Sequence, residues 1–188
     1  GIKDIDRAGF DKYDTLSTFR GNPVYDDEFD VSSEAAQKYL LNFCTTLETY
    51  KCKDGIAGCN SEQMLARTGS VRCWIREFQE WHLSTYSNAT TYGLTKAVFL
   101  ERLLLFRKTE KPKAANLETW KDSIGFIDGK LKFVSIKLRT TIAPFDPQGV
   151  KHPLYLIYNE IAEEFRKDAP AGLKSIMHES SFFGWVFM

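Results

Sequence analysis

The chain has 188 residues, 25 Lys plus Arg against 25 Asp plus Glu, and 14% aromatic residues. That length suits one domain able to bury most of its apolar surface. The even charge, with no local basic stripe, argues against nucleic acid or an anionic lipid surface as a partner. No apolar run reaches the roughly 18 residues needed to cross a bilayer, and no signal peptide is recognisable. An exported chain of this kind would have lost a leader or belong to a larger membrane protein.

Gly1 to Ile5 alternates apolar and polar residues, which predicts a short half-buried strand. From Asp6 to Asp30 the chain is polar, with Gly9, Gly21 and Pro23, and reads as an ordered surface loop. Its acids Asp26, Asp27, Glu28 and Asp30 lack the glycine and terminal glutamate of an EF-hand loop. They read as solvated carboxylates rather than a calcium site.

Ser32 and Ser33 open a helix with Glu34 in its first turn, where a carboxylate favours the positive end of the dipole. Ala36, Tyr39, Leu40, Phe43, Cys44, Leu47 and Tyr50 recur at three- and four-residue intervals, so one face is buried and carries Cys44 inward. A second helical pattern runs from about Arg72 to Leu83 with Trp74, Phe78 and Trp81 on one face, and a third from about Leu94 to Phe106. Arg107 to Lys113 then reads as an exposed linker.

All four cysteines, Cys44, Cys52, Cys59 and Cys73, fall within 30 residues. There is no C-x-x-C pair and no nearby His at ligand spacing, so a zinc site is disfavoured and disulfides are expected. Of the three pairings, Cys44 with Cys73 would staple two helices while Cys52 with Cys59 closes the loop between them, and this one is preferred. Asn88-Ala89-Thr90 is an N-glycosylation acceptor in a polar run, which makes Asn88 a candidate glycosylation site. Disulfides and acceptor together favour an extracellular or lumenal location.

Ile124 to Ile127, Asp128-Gly129 and a long alternating run predict a hairpin with a type I′ turn. Val134, Ile136, Leu138 and Ile142 share one face while Ser135, Lys137, Arg139 and Thr141 share the other, giving a sheet buried on one side. Pro144 and Pro147 break the strand, and Pro153 is placed to start a helix with the stripe Leu154, Ile157, Ile161 and Phe165. That helix ends near Asp168-Ala169-Pro170. A weaker strand pattern follows through Leu173, Ile176 and Met177. The tail from Ser180 to Met188 reads either as a polar-to-aromatic approach to a bilayer or as a terminal element packed on the core.

Without the two middle helices the order is strand, helix, strand, strand, helix, strand. This predicts an α+β, ferredoxin-like (split βαβ) open-faced sandwich with a helical, disulfide-bonded insertion between the first helix and the hairpin. The core would comprise residues 1–50 and 116–180, the insertion 51–115, and 181–188 the approach to a transmembrane helix, all within one domain spanning 1–188. First and last strands would be antiparallel neighbours, so both ends of the domain would leave on one side.

Several short motifs carry a family resemblance: Gly1-Ile-Lys-Asp-Ile-Asp6, Tyr25-Asp-Asp-Glu-Phe-Asp30, Ala36-Gln37 with Cys44 and Leu47, Cys73-Trp-Ile-Arg-Glu-Phe78 with Trp81, Ala169-Pro170, and Phe183-Gly-Trp185. Together they resemble the large extracellular loops of Dispatched proteins, best the second of the two. The region from Asn88 to Ala115 lies outside the resemblance. Dispatched proteins belong with Patched in the resistance-nodulation-division transporters, whose paired porter domains have ferredoxin-like cores. The resemblance implies a porter-type domain that, with a companion domain of the same transporter, forms a conduit or binding surface for sterol, lipid or a lipid-modified protein. Flanking helices would hold it at the outer face of a membrane, the plasma membrane first.

Catalysis is not expected. His82, His152 and His178 lie in separate elements, and there is no G-x-S-x-G, H-E-x-x-H or Gly-rich phosphate loop. Glu163-Glu164 reads as a solvated pair on a helix. No cofactor, metal or nucleic-acid partner is therefore expected. The competing readings are a free-standing secreted binding or structural domain with the same fold, and a cytosolic protein with free thiols.

Overall fold

The computed structural model describes residues 1–11, 21–52, 64–109, 120–141 and 148–176. Over these the chain is mixed α+β. It runs β1 (Ile2–Asp6), β2 (Asn22–Tyr25), α1 (Glu34–Thr49), α2 (Trp74–Thr85), α3 (Lys96–Phe106), β3 (Ile124–Ile127), β4 (Lys130–Val134) and α4 (Gln148–Asp168), with a 3₁₀ turn at Trp120–Asp122 before β3.

Helix α1 begins where a cap predicts it. The Ser33 side chain accepts from the Ala36 amide at 3.1 Å, and an exposed Glu34–Lys38 pair follows one turn on. Ser32 turns inward instead, and its carbonyl accepts from Gln37 Nε2 at 2.9 Å. Gln37 in turn accepts from Gln79 Nε2 at 3.3 Å, so two buried amides on α1 and α2 satisfy each other. The disulfide from Cys44 to Cys73, with Cα atoms 5.8 Å apart, fastens the same two helices, and Glu48 and Arg76 pair beside it. Cys52 is buried and also disulfide-bonded, while Cys59, its expected partner, lies outside the described residues.

Helix α3 carries apolar residues on nearly all sides. Phe99, Leu103 and Phe106 are buried, whereas Leu104 and Leu105 remain in solvent. Phe78 of α2 meets Phe99 and Phe106 edge-on at 5.2 and 5.6 Å, and Phe106 stacks on Trp120 at 5.3 Å. The Arg107 guanidinium closes this end by donating to the Ile124 carbonyl at 2.6 Å. Helix α4 packs on α1 through Phe165, whose ring lies 4.5 Å from Phe43 and 5.5 Å from Tyr39. The Tyr39 hydroxyl donates to the Phe165 carbonyl, and burial followed by Asp168 pushes the phenol up to about 12, so it stays protonated. One continuous apolar core, centred on Trp74, Phe78, Phe99 and Trp120, joins all four helices to β3.

The hairpin turn has φ of +50° at Asp128 and +73° at Gly129, the pair of left-handed residues that a type I′ turn requires. Its ladder is irregular. Gly125 faces Phe133 and Phe126 faces Leu131, so Lys132 is an extra residue on β4, a β-bulge. Beyond Val134 the expected long strand does not continue as a regular ladder. Segment 135–141 is held by isolated bridges from Ala66 to Thr140 and from Arg72 to Lys137, an extended crossing that no periodicity announced.

Three further expectations change. β2 lies inside the stretch read as loop and pairs antiparallel with β1 despite Pro23, so the described strands form two separate two-stranded sheets, β1–β2 and β3–β4, rather than the single open-faced sheet expected. A two-stranded sheet tolerates a proline whose missing N–H faces the open edge. Helix α4 starts before Pro153 rather than at it, so one amide bond is forfeited where little more than a turn precedes the proline. Leu173 to Ile176 is irregular rather than a strand, and Met177 lies outside the described residues.

Candidate functional site

The residues singled out by the sequence do not converge. Asp30 accepts from both the amide and hydroxyl of Ser32 at 2.9 and 2.7 Å and from Lys96 at 2.8 Å. Its carboxyl is held below the usual range because these donors outweigh the opposing effect of burial, the largest single influence. Asp26 closes a turn onto the Glu28 amide at 3.0 Å, and Asp27 lies 3.6 Å from Lys132. These acids therefore serve separate local contacts. Among the described residues no three His, Cys, Asp or Glu side chains are grouped to hold a metal ion.

His82 is buried on α2 beneath Phe78, the two rings nearly parallel at 5.9 Å, and faces Arg102 of α3. His152 is exposed on α4, and His178 lies outside the described residues. Glu163 pairs with Arg166, while Glu164 is exposed on the same helix. Asn88 is exposed in the turn that follows α2.

Side chains do converge where β1, the end of β2 and the segment after α4 meet. A cleft of about 430 Å³ is lined by Ile2, Lys3, Asp26, Arg166, Lys174, Ser175 and Ile176. Three local features build it. In β1 the register passes from Ile2 opposite Tyr25 to Asp4 opposite Val24, which leaves Lys3 as an extra residue at a bulge. The last turn of α4 supplies Arg166, braced by Glu163 and by donation to the Ile176 carbonyl. Gly172, at φ +88°, then bends the chain back, and its carbonyl accepts from the Asp30 amide at 3.2 Å. A Cβ there would fall 2.7 Å from the Glu28 carbonyl oxygen, so only glycine fits.

Gly1 sits at the rim of this region. Its nitrogen donates to the Lys132 carbonyl at 2.8 Å, and Ser175 packs directly on its Cα, so that a Cβ there would displace the Ser175 hydroxyl. The bulge at Lys132 matters here, because an unladdered residue has a carbonyl to spare. The Lys132 ammonium also lies 5.7 Å over the Tyr25 ring, so one residue ties the hairpin to the β1–β2 pair.

Lys3, Arg166, Lys174 and Ser175 were not singled out by the sequence. They come from two distant parts of the chain with no shared spacing, and only a fold brings them together. No protein-family model matches the chain, and no curated protein matches it.

Proposed function

We propose that the chain is a porter-type extracellular domain of a Dispatched- or Patched-like membrane transporter, with a ferredoxin-like core extended by β2. Within it, α1, the β3–β4 hairpin and α4 take the places of first helix, central hairpin and second helix. The observation that carries this reading is the position of Gly1, in contact with Lys132 of the second hairpin strand and with Ser175 after α4. In a split βαβ sheet the first strand lies between those two segments; here β1 itself is laddered to β2, and only Gly1 just before it occupies that junction. Segments far apart in sequence thus lie side by side, as a domain held between two membrane helices needs.

Two further features support the setting. The Cys44–Cys73 disulfide suits an oxidising compartment, and Asn88 stands exposed for glycosylation. Among the described residues no helix is long and apolar enough to cross a membrane, so the spans of such a transporter would come from elsewhere in it. The domain's work would be to shape, with its companion domain, the conduit or binding surface for sterol, lipid or a lipid-modified protein.

Reading the gene on both sides of this segment is the direct test. The expected result is a multi-pass membrane protein with a second domain of the same order of elements. A cleavable leader in front and a stop codon behind would overturn the proposal in favour of a secreted binding domain. In the intact transporter, a photoreactive sterol should then label peptides of this domain.

A further inference from the structure

We propose that the cleft between β1 and the segment after α4 binds a phosphate-type oxyanion, supplied as a lipid phosphate headgroup or as free phosphate. The charge is local. The chain as a whole is balanced, 25 cations against 25 acids, yet this cleft gathers Lys3, Arg166 and Lys174 against the single carboxylate of Asp26. Asp26 already accepts from the Glu28 amide, and Arg166 is shared with Glu163. Positive charge is therefore left over at the two lysines, whose ammonium groups offer donors but no acceptors. The volume of about 430 Å³ lies within the range of small-ligand sites.

Two independent features distinguish the cleft from an ordinary solvated lysine patch. Ser175 lines it, and its hydroxyl, packed against Gly1 at the rim, is buried with no hydrogen-bond partner among the described residues. A buried hydroxyl left unsatisfied is costly, and an oxyanion would supply the missing acceptor. The bulge at Lys3 is the second, since it takes that residue out of the regular pleat of β1 and sets it in the cleft wall. Ile2 and Ile176, both half-buried, complete the lining with apolar surface, while Lys3 and Lys174 remain exposed to an entering ligand.

The oxyanion site stands on this geometry alone, whereas its facing a bilayer rests on the transporter reading above. Both parts are tested with the 188-residue chain. Calorimetric titration with inorganic phosphate at fixed ionic strength should give saturable binding. Lys174→Glu should weaken it about tenfold or more and Ser175→Ala a few fold, as expected for a charge-assisted and a neutral hydrogen bond. Lys130→Glu, at the exposed hairpin tip, should leave it unchanged.

Flotation with phosphatidylcholine vesicles, with and without phosphatidic acid, separates the sources. Retention that needs phosphatidic acid and Lys174 identifies a lipid headgroup, and phosphate binding without retention identifies free phosphate and counts only against the membrane-facing placement. Absence of binding in both arms overturns the site. So does equal weakening by Lys130→Glu, which would mark general charge attraction.

Discussion

Arg102 holds one guanidinium nitrogen 3.2 Å from His82 Nδ1 and 3.0 Å from its Nε2, while its guanidinium carbon lies 4.1 Å from the centre of the Tyr86 ring. A guanidinium only donates, so the imidazole can keep this contact only as a neutral ring with a free lone pair. Burial first, and then the positive charge of Arg102, lower the histidine's proton affinity below its ordinary value of 6.5. A group whose folded pKa is depressed binds fewer protons folded than unfolded as pH falls past that ordinary value. Stability should therefore decline on acidification from 6.5 and level off below the depressed value. Urea unfolding across that range should show the decline, and His82→Gln should flatten it. An unchanged slope in the variant would assign the effect to the carboxylates.

The contacts between α1 and α2 allow two kinds of fastening to be ranked. The disulfide closes a separation of 29 residues, and the loop-entropy relation puts its removal at about 3.6 kcal/mol. The Glu48–Arg76 pair is bidentate, at 2.7 and 3.0 Å, but its side chains are 31% and 38% exposed. Screened pairs of this kind contribute about 1 kcal/mol or less. Replacing Cys44 and Cys73 together by Ala should thus lower the unfolding free energy well beyond Arg76→Ala, measured by urea titration of both variants. Comparable losses would mean that the helices are held mainly by packing.

Gly125 and Phe133 face each other across the hairpin, and a Cβ at Gly125 would run into the phenyl ring. The ring fills the space that a glycine leaves on the strand. Gly125→Ala should cost about 1–3 kcal/mol through overpacking. The same change in a Phe133→Leu background should cost less, with a coupling of at least about 0.5 kcal/mol in the double-mutant cycle. Additive losses would show that backbone conformation, not the ring, excludes alanine.

Readings that rest on neighbours in sequence survive at atomic detail. The Ser33 cap of α1 and the positive φ angles of Asp128-Gly129 are set within a few residues, where local chemistry dominates. The Cys44–Cys73 bond was reachable because an amphipathic pattern turned Cys44 inward on one helix and Cys73 stood at the start of the next, which favoured one of three pairings. β2 was hidden for the opposite reason. Its Asn22 and Pro23, and the acids that follow from Asp26, carry loop chemistry, and it is a strand only because Gly21, at φ +108° against the Asp6 carbonyl, returns the chain beside β1. Likewise the alternation from Val134 to Thr141 reported the half-buried Val134, Ile136 and Leu138 against the exposed Lys137 and Arg139, although Ser135 and Thr141 are half-buried too and Ile142 lies outside the described residues, but not that segment 65–72 would be its partner. The cleft was the least legible of all. A bulge at Lys3 and a glycine bend at Gly172 leave no periodic trace, and although the end of α4 was legible, nothing in its stripe pointed Arg166 to β1, so the site is visible only in their sum.

Asn88 offers a test of compartment that depends on neither the cleft nor the transporter reading. It is exposed, it follows α2 in a turn, and the Ala89 amide beyond it is already paired with the Tyr86 carbonyl at 3.0 Å. A glycan there would project into solvent without displacing a core contact. Expression through a eukaryotic secretory pathway should give a chain whose mass falls on treatment with a peptide N-glycanase, and Asn88→Gln should abolish the difference. Because the substitution touches only surface, unfolding free energy should move by no more than about 0.5 kcal/mol. In the same material Cys44 and Cys73 should resist alkylation until a reductant is added. Free reactivity of both thiols in carefully isolated protein, together with an unglycosylated Asn88, would place the chain in a reducing compartment and remove the basis for an extracellular domain.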